Sequence, residues 1–269
     1  MTDAWRFIDT GPCKAVYNMA LDEAIATVVR KDNAPTTLRL YGWNTPSVSI
    51  GCFQKISDIN IDYCIENHIP FVRRPTGGRA ILHNKELTYS FSVKTTHGIF
   101  SKGLLDSYKK ISRAFVLAFS NIGLTPEVKL ITKTLHSSPI ALYPKNPLCF
   151  QSASYGEITI NNKKIIGSAQ KRWTEGLLQQ GSIPYSIDKD EMVKIFRLNS
   201  SHESMEALTG LKEIIPRLNP DVFKDNIRIA FEETFNIKLI PSSPSKEELS
   251  LAGELEAKKY LSSQWNFQR

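Results

Sequence analysis

The chain has 269 residues, of which 41% are hydrophobic, 10% aromatic and 23% charged, enough apolar material for a sizeable core and too little bias for a disordered, collagen-like or low-complexity protein. Its 34 basic and 27 acidic residues give a formal charge of +7 and a pI near 9.1, a balance suited to an acidic protein partner. The basic residues are scattered in doublets such as Arg73-Arg74, Lys109-Lys110 and Lys163-Lys164, and no apolar run approaches the roughly 18 residues of a membrane span, so neither nucleic acid nor a membrane is expected as a partner.

Asn18 to about Lys31 carries Met19, Leu21, Ala24, Ile25 and Val28 close to helical spacing. Thr37–Trp43 and Ser47–Cys52 are β-rich runs around Asn44-Thr45-Pro46 and predict a hairpin. Asn60–His68 predicts a short helix, Phe71–Thr76 a strand broken by Gly77-Gly78, and Arg79–His83 and Leu87–Lys94 two further strands. Gly103–Ile122 is the clearest helix, with Leu104, Tyr108, Ile111, Phe115, Phe119 and Ile122 in one stripe. Residues 124–148 hold Pro126, Pro139, Pro144 and Pro147 and predict an irregular loop. Strands are expected at Tyr155–Asn161, Lys164–Arg172 and Leu177–Tyr185, with Asn161-Asn162 as a turn. After Asp188 the pattern turns helical: Asn219-Pro220 opens one helix, Ser245 to Glu248 is a capping box opening another, and Ile237–Ile240 can form a strand between them. The expected architecture is α+β, a mixed sheet flanked by helices, with a catalytic domain over 1–187 and a helical extension over 188–269 packed on it.

Three segments carry chemistry. In Arg73-Arg74-Pro75-Thr76-Gly77-Gly78-Arg79-Ala80-Ile81-Leu82-His83, the glycine pair lets backbone N–H groups approach a ligand, and arginines suit a carboxylate or phosphate. The same residues read equally as a β-turn with solvated arginines. Cys149 follows the proline-rich loop; it is either a nucleophile, which needs a nearby cation or base, or a small buried hydrophobe. Cys13, Cys52 and Cys64 fit the second description better. Lys163-Lys164-Ile165-Ile166-Gly167-Ser168-Ala169 combines one ammonium on an apolar face with a small-residue stretch against which a ligand can lie; a solvated doublet before an edge strand is the alternative. The four cysteines and five histidines have no disulfide-framework or zinc-site spacing, and the first residues lack the basic and apolar regions of a secretory leader, so a cytoplasmic protein without a metal is expected.

The order of these segments adds a further reading. RRPTGGRAILHNKELTYSF (73–91) and KKIIGSAQKR (163–172), preceded by NMALDEA (18–24) and RLYGWNTPSVSIGCFQ (39–54), resemble the biotin/lipoate protein ligase and octanoyltransferase superfamily over roughly residues 4–187. CFQSASYGEI (149–158) is similar to the segment in which one branch of octanoyltransferases carries a cysteine nucleophile. The resemblance implies transfer of octanoyl from acyl carrier protein to the lysine of a lipoyl domain, in the glycine cleavage H protein or a 2-oxoacid dehydrogenase subunit, with no cofactor. It implies Cys149 and Lys164 as catalytic residues. Arg73, Arg74, Gly77, Gly78, Arg79, His83, Gly167, Ser168 and Ala169 would bind substrate. Family members often have histidine where Gln180 stands, which puts an acid–base role at that position in doubt. The alternatives are an ATP-dependent lipoate–protein ligase, an amidotransferase between lipoyl-domain proteins, and a non-catalytic binder of acyl carriers.

Overall fold

The computed structural model describes residues 3–31, 33–96, 98–129, 157–198 and 208–268. Six strands form one mixed sheet, in the order β10 (Gly167–Arg172), β11 (Gly176–Pro184), β6 (Glu86–Lys94), β2 (Thr37–Trp43), β1 (Asp3–Cys13) and β12 (Ile237–Pro241). β12, β1 and β2 are parallel, whereas β2, β6, β11 and β10 alternate antiparallel.

Central β6 is paired on both edges and buried along nearly all its length. Its sequence still alternates, because successive side chains leave a strand on opposite sides. Leu87, Tyr89, Phe91 and Val93 share one face; Glu86, Thr88, Ser90 and Ser92 share the other. Strand register extends this division, adding Leu38, Leu40, Leu177 and Ile183 to the first face and Arg39, Tyr41, Gln180 and Ser182 to the second. The first face is covered by α3 (Leu104–Asn121) and by α5 (Pro220–Phe235), whose Phe115, Phe119, Phe223 and Phe231 pack with Trp5, Phe91 and Phe100. The second face is covered by α1 (Ala15–Arg30), which is itself backed by α6 (Lys246–Leu255).

Two three-stranded sheets flank this core: β4 (Phe71–Arg73), β3 (Ser47–Ile50) and β5 (Ile81–His83); and β7 (Glu127–Lys129), β8 (Glu157–Ile160) and β9 (Lys163–Lys164). The expected hairpin of β2 with β3 does not form. Both edges of β2 are occupied by β1 and β6, so β3 has no free edge there and pairs with β4 and β5 instead. The expected single strand Lys164–Arg172 is also divided. Ile165 and Ile166 are both buried in the large core, which adjacent residues of a regular strand facing one core cannot achieve; the chain therefore passes from one sheet to another between β9 and β10. Asn161 and Asn162, at φ 50° and 62°, form the expected tight turn between β8 and β9, since asparagine tolerates the left-handed region that such turns require. Part of the predicted loop 124–148 is regular, because Glu127–Lys129 forms β7; residues 130–148 lie outside the described residues.

α2 (Ile61–Glu66) is capped by Asn60, and α4 (Lys189–Phe196) by Asp188. Beyond α4, the C-terminal helices begin at the expected caps. Asn219 Oδ1 accepts from the backbone N–H of Asp221 at 2.9 Å, and Ser245 and Glu248 form the capping box. Glu248 also pairs with Arg6 at 2.5 Å, joining α6 to β1. Residues after 188 thus supply the edge strand β12 and one of the two helices over the aromatic face.

Candidate active site

α1 brings Asp22 against β2, where its carboxylate lies 2.7 Å from Arg39, both side chains having no solvent exposure. Such a pair is tolerated inside a protein only when its remaining donors and acceptors are met. Asp22 also accepts from Tyr41 at 2.8 Å, Ser90 at 2.6 Å and Gln180 at 2.7 Å. Arg39 donates further to Asn18 Oδ1 at 2.7 Å and Thr10 Oγ1 at 2.9 Å. Burial first, then the Asp22 charge, holds the Tyr41 phenol well above its ordinary value, so it remains a donor. Gln180 completes the link by accepting from Thr76 at 2.9 Å. The helix, the sheet and the Arg-Pro-Thr-Gly-Gly loop are therefore joined by one satisfied polar network.

A narrow cleft opens beside this network. Its walls are largely apolar, from Met19, Tyr41, Trp43, Ile81 and Ala169. His83 lies across one wall, its ring stacked on Trp43 with centroids 3.9 Å apart. Its Nδ1 is 2.8 Å from Glu86 and its Nε2 is 2.7 Å from Ser49 Oγ. Glu86 accepts in addition from Thr88 and from Ser182, the latter at 2.7 Å.

On the opposite wall lie Gly167, Ser168 and Ala169. Burial pushes the Tyr89 phenol up to about 12, and Gln179 donates to its oxygen at 2.7 Å. Tyr89 and Ser168 Oγ share a hydrogen bond of 2.8 Å.

Arg74 also lines the cleft, but its guanidinium holds the loop rather than projecting outward. It donates to the carbonyls of Gly77 and Arg79, each at 2.7 Å, and to Ser49. Gly78 is exposed at φ +83°, with Gly77 and Arg79 half-buried beside it. A Cβ on Gly51 would stand 1.8 Å from the Gly78 carbonyl oxygen; the two turns touch through their backbones, and only glycine allows it.

The remaining expected residues are placed differently. Arg73 is a correction: it does not line the cleft. Its buried guanidinium donates to the carbonyls of Gly51, Gln54, Trp265 and Asn266, fastening the C-terminal segment to β4. Lys164 is buried on β9, opposite Thr159 and bridged to Leu208, three residues from the cleft-lining Gly167. Cys149 lies outside the described residues. Cys64 is buried, and its thiol is pushed up to about 11 by burial and by Glu191, which keeps it inert at neutral pH. Cys13 and Cys52 are half-buried rather than core residues. Among the described residues, no three His, Cys, Asp or Glu side chains cluster to hold a metal ion, and no helix is long and apolar enough to cross a membrane.

Asp22, Arg39, Trp43, Ser49 and Glu86 are not among the expected site residues. One signal was available. Arg39 stands between Leu38 and Leu40 in a strand, and Asp22 follows Ala20-Leu21 in an apolar helix, which is where a charge must be paired to be tolerated.

Residues 14–232 match the lipoyl protein ligase A/B catalytic domain. The chain is 35% identical to the octanoyltransferase LipM of Geobacillus kaustophilus over 99% of both chains, and 34% identical to that of Staphylococcus aureus over the full length of both. Among solved structures, its fold is similar to that of Ta0514 from T. acidophilum, described as a lipoate protein ligase and containing bound lipoic acid, with a TM-score of 0.80, 22% identity and coverage of 99% of this chain and 100% of that one. It is also similar to lipoate-protein ligase A bound with ATP, with a TM-score of 0.79, 23% identity and coverage of 99% of each chain. The chain belongs to the lipoyl protein ligase A/B catalytic-domain family, and within it to the octanoyltransferases of the LipM type.

Proposed function

We propose that this acyltransferase moves an octanoyl group from octanoyl-acyl carrier protein to the lysine of a lipoyl-domain protein, through a thioester on Cys149. The observation that carries the reading is the apolar cleft, with its polar groups satisfied, in a chain similar along its whole length to LipM octanoyltransferases. Such a cleft suits an alkyl chain and offers no unpaired charge to a polar ligand.

The chemistry proceeds in two balanced steps. The Cys149 thiolate attacks the donor's thioester carbonyl, the carrier's thiolate leaves, and the acyl group is held as a second thioester of similar energy, so no ATP is consumed. The acceptor amine then attacks that thioester, loses a proton and expels the Cys149 thiolate, and formation of the amide draws the sequence forward. Lys164 holds the acyl carbonyl oxygen and stabilises the thiolate. Its burial supports that role, because an ammonium acts more strongly where water is excluded. The acyl chain lies along Gly167–Ala169 and beside the stacked rings of Trp43 and His83, while Gly77, Gly78 and Arg79 shape the entrance. Lipoyl domains of the glycine cleavage H protein or 2-oxoacid dehydrogenase subunits are the acceptors, and the +7 charge favours encounter with acidic carriers.

Intact-mass analysis after mixing with octanoyl-acyl carrier protein, without ATP, tests the proposal. A gain of one octanoyl group, lost in Cys149→Ala and discharged on adding acceptor domain, is expected. Cys149→Ala that retains near wild-type transfer, or activity requiring ATP and free octanoate, overturns it in favour of a ligase.

A further inference from the structure

A second, partly open cavity lies beyond the cleft, lined by Ile81, Leu82, Glu86, Ser182, Pro184 and Met192 among others. Strand alternation sets the two in line on one face of the sheet. Along β11, Gln180 borders the cleft, Pro184 the second cavity, and Ser182 between them borders both. On the paired strand β6, Thr88 borders the first and Glu86 the second. On β5, the side chain shared by both cavities is Ile81.

The partition between the cavities has a fixed half and a packed half. Ser182 is tied to Glu86 at 2.7 Å, and Glu86 to His83 at 2.8 Å. Ile81 is held by apolar contact alone, in a cluster with Val48, Ile50 and Met192. The exposed Gly78 stands next to Ala169, which lines the cleft, whereas Ile81 and Ser182, which border the second cavity as well, are both buried. A chain that enters at the glycine turn and extends along the cleft therefore ends against Ile81.

We propose that Ile81 determines acyl chain length: its side chain stops the chain at the partition, and the second cavity is the space into which a longer chain would extend once that side chain is shortened. The inference rests on the reading of the cleft as an acyl site. Each further methylene taken out of water raises affinity roughly fourfold, so a removable apolar stop has a large effect on length preference.

The test compares wild type with Ile81→Ala, Ile81→Val and Ile81→Phe, each checked for folding by circular dichroism. One readout is transfer from an equimolar mixture of hexanoyl to tetradecanoyl carrier thioesters. The other is displacement of a fluorescent fatty-acid analogue by the corresponding free acids, which requires no chemistry. In Ile81→Ala the preference for dodecanoyl over octanoyl should rise roughly tenfold or more in both readouts, with Ile81→Val shifting the same way less; Ile81→Phe should favour hexanoyl. A folded Ile81→Ala with the wild-type length profile overturns the inference. If it does not fold, Ile81→Val and Ile81→Phe decide, and unchanged profiles in both overturn it equally. A wild type that binds octanoate yet transfers nothing defeats the transfer reading alone, and the displacement profiles still decide the role of Ile81. A wild type that binds no acid of the series overturns the inference outright.

Discussion

The two faces of the six-stranded sheet are built from the same strands and are both dry, yet they differ in kind. On one, Tyr89, Phe91 and the leucines of β2 and β6 meet the phenylalanines of α3 and α5, and the contacts are mutual apolar packing. On the other, Arg39, Ser90 and Gln180 meet Asp22 of α1 through hydrogen bonds of 2.6 to 2.7 Å. Apolar packing tolerates small shifts because it has no directional requirement, whereas a buried polar network is satisfied only in one arrangement. The face that borders the cleft is the one whose geometry is fixed by direction, which is what a site for positioned chemistry needs.

Two substitutions of similar energetic size should separate these faces. Phe231→Ala, on the aromatic face, should lose about 3–5 kcal/mol by removing a buried ring, measured by urea denaturation, while the folded fraction keeps wild-type transfer. Asp22→Ala, on the polar face, should also lose about 3–5 kcal/mol, because Arg39 is left buried without its counter-charge. It should in addition weaken acyl binding, since Gln180 and Tyr41 lose the group that orients them. The double change Asp22→Leu with Arg39→Met should recover part of the stability but not the binding. Equal loss of binding in Phe231→Ala and Asp22→Ala would erase the distinction between the faces.

A smaller effect comes from Gly181, which pairs with Tyr89 on β6 and lines the cleft. A Cβ on Gly181 would lie 2.1 Å from the Tyr89 ring, so Gly181→Ala should cost about 1–3 kcal/mol through overpacking. It should also separate Tyr89 from Ser168, moving the serine that lines the cleft. A melting temperature and octanoate affinity that both match wild type would show that the ring can move aside.

Much of this division was readable in the sequence, because Glu-Leu-Thr-Tyr-Ser-Phe-Ser-Val alternates polar and apolar residues without interruption. The main helices and the caps at Asn219 and Ser245 were readable for the same reason: they depend on neighbours a few residues away. The partner of β3 was not, since it depends on which edges of β2 are already taken. Nor was the break at Ile165-Ile166, where the demand for two buried isoleucines overrides strand alternation. Around the site, the segments holding Arg74, His83 and Gly167–Ala169 stood out by composition. The guanidinium of Arg73 was misjudged because its acceptors are backbone carbonyls up to 193 residues away, and a carbonyl has no signature in a sequence.

The smallest effect, and the most specific, is in the titration of one tyrosine from each face. Both phenols are raised above their ordinary value, Tyr89 up to about 12 by burial and Tyr41 by burial together with the Asp22 carboxylate. A raised folded-state value means that the folded protein holds the proton more tightly than the unfolded chain. The stability from Tyr89 is therefore fully present below pH 10.0, and it is lost as pH rises through about 12. Tyr89→Phe should remove that contribution and flatten the alkaline limb of the stability profile. The neutral variant Asp22→Asn acts on the other face alone. It removes the second cause of the Tyr41 shift and leaves Arg39, which favours the phenolate, so Tyr41 should ionise at lower pH than in wild type. Difference absorbance of the phenolate, with Tyr41→Phe and Tyr89→Phe to assign the two groups, should show Tyr41 moving and Tyr89 unmoved. Movement of both by the same amount would mean that the charge of Asp22 acts through the sheet, and that the two faces are electrostatically one.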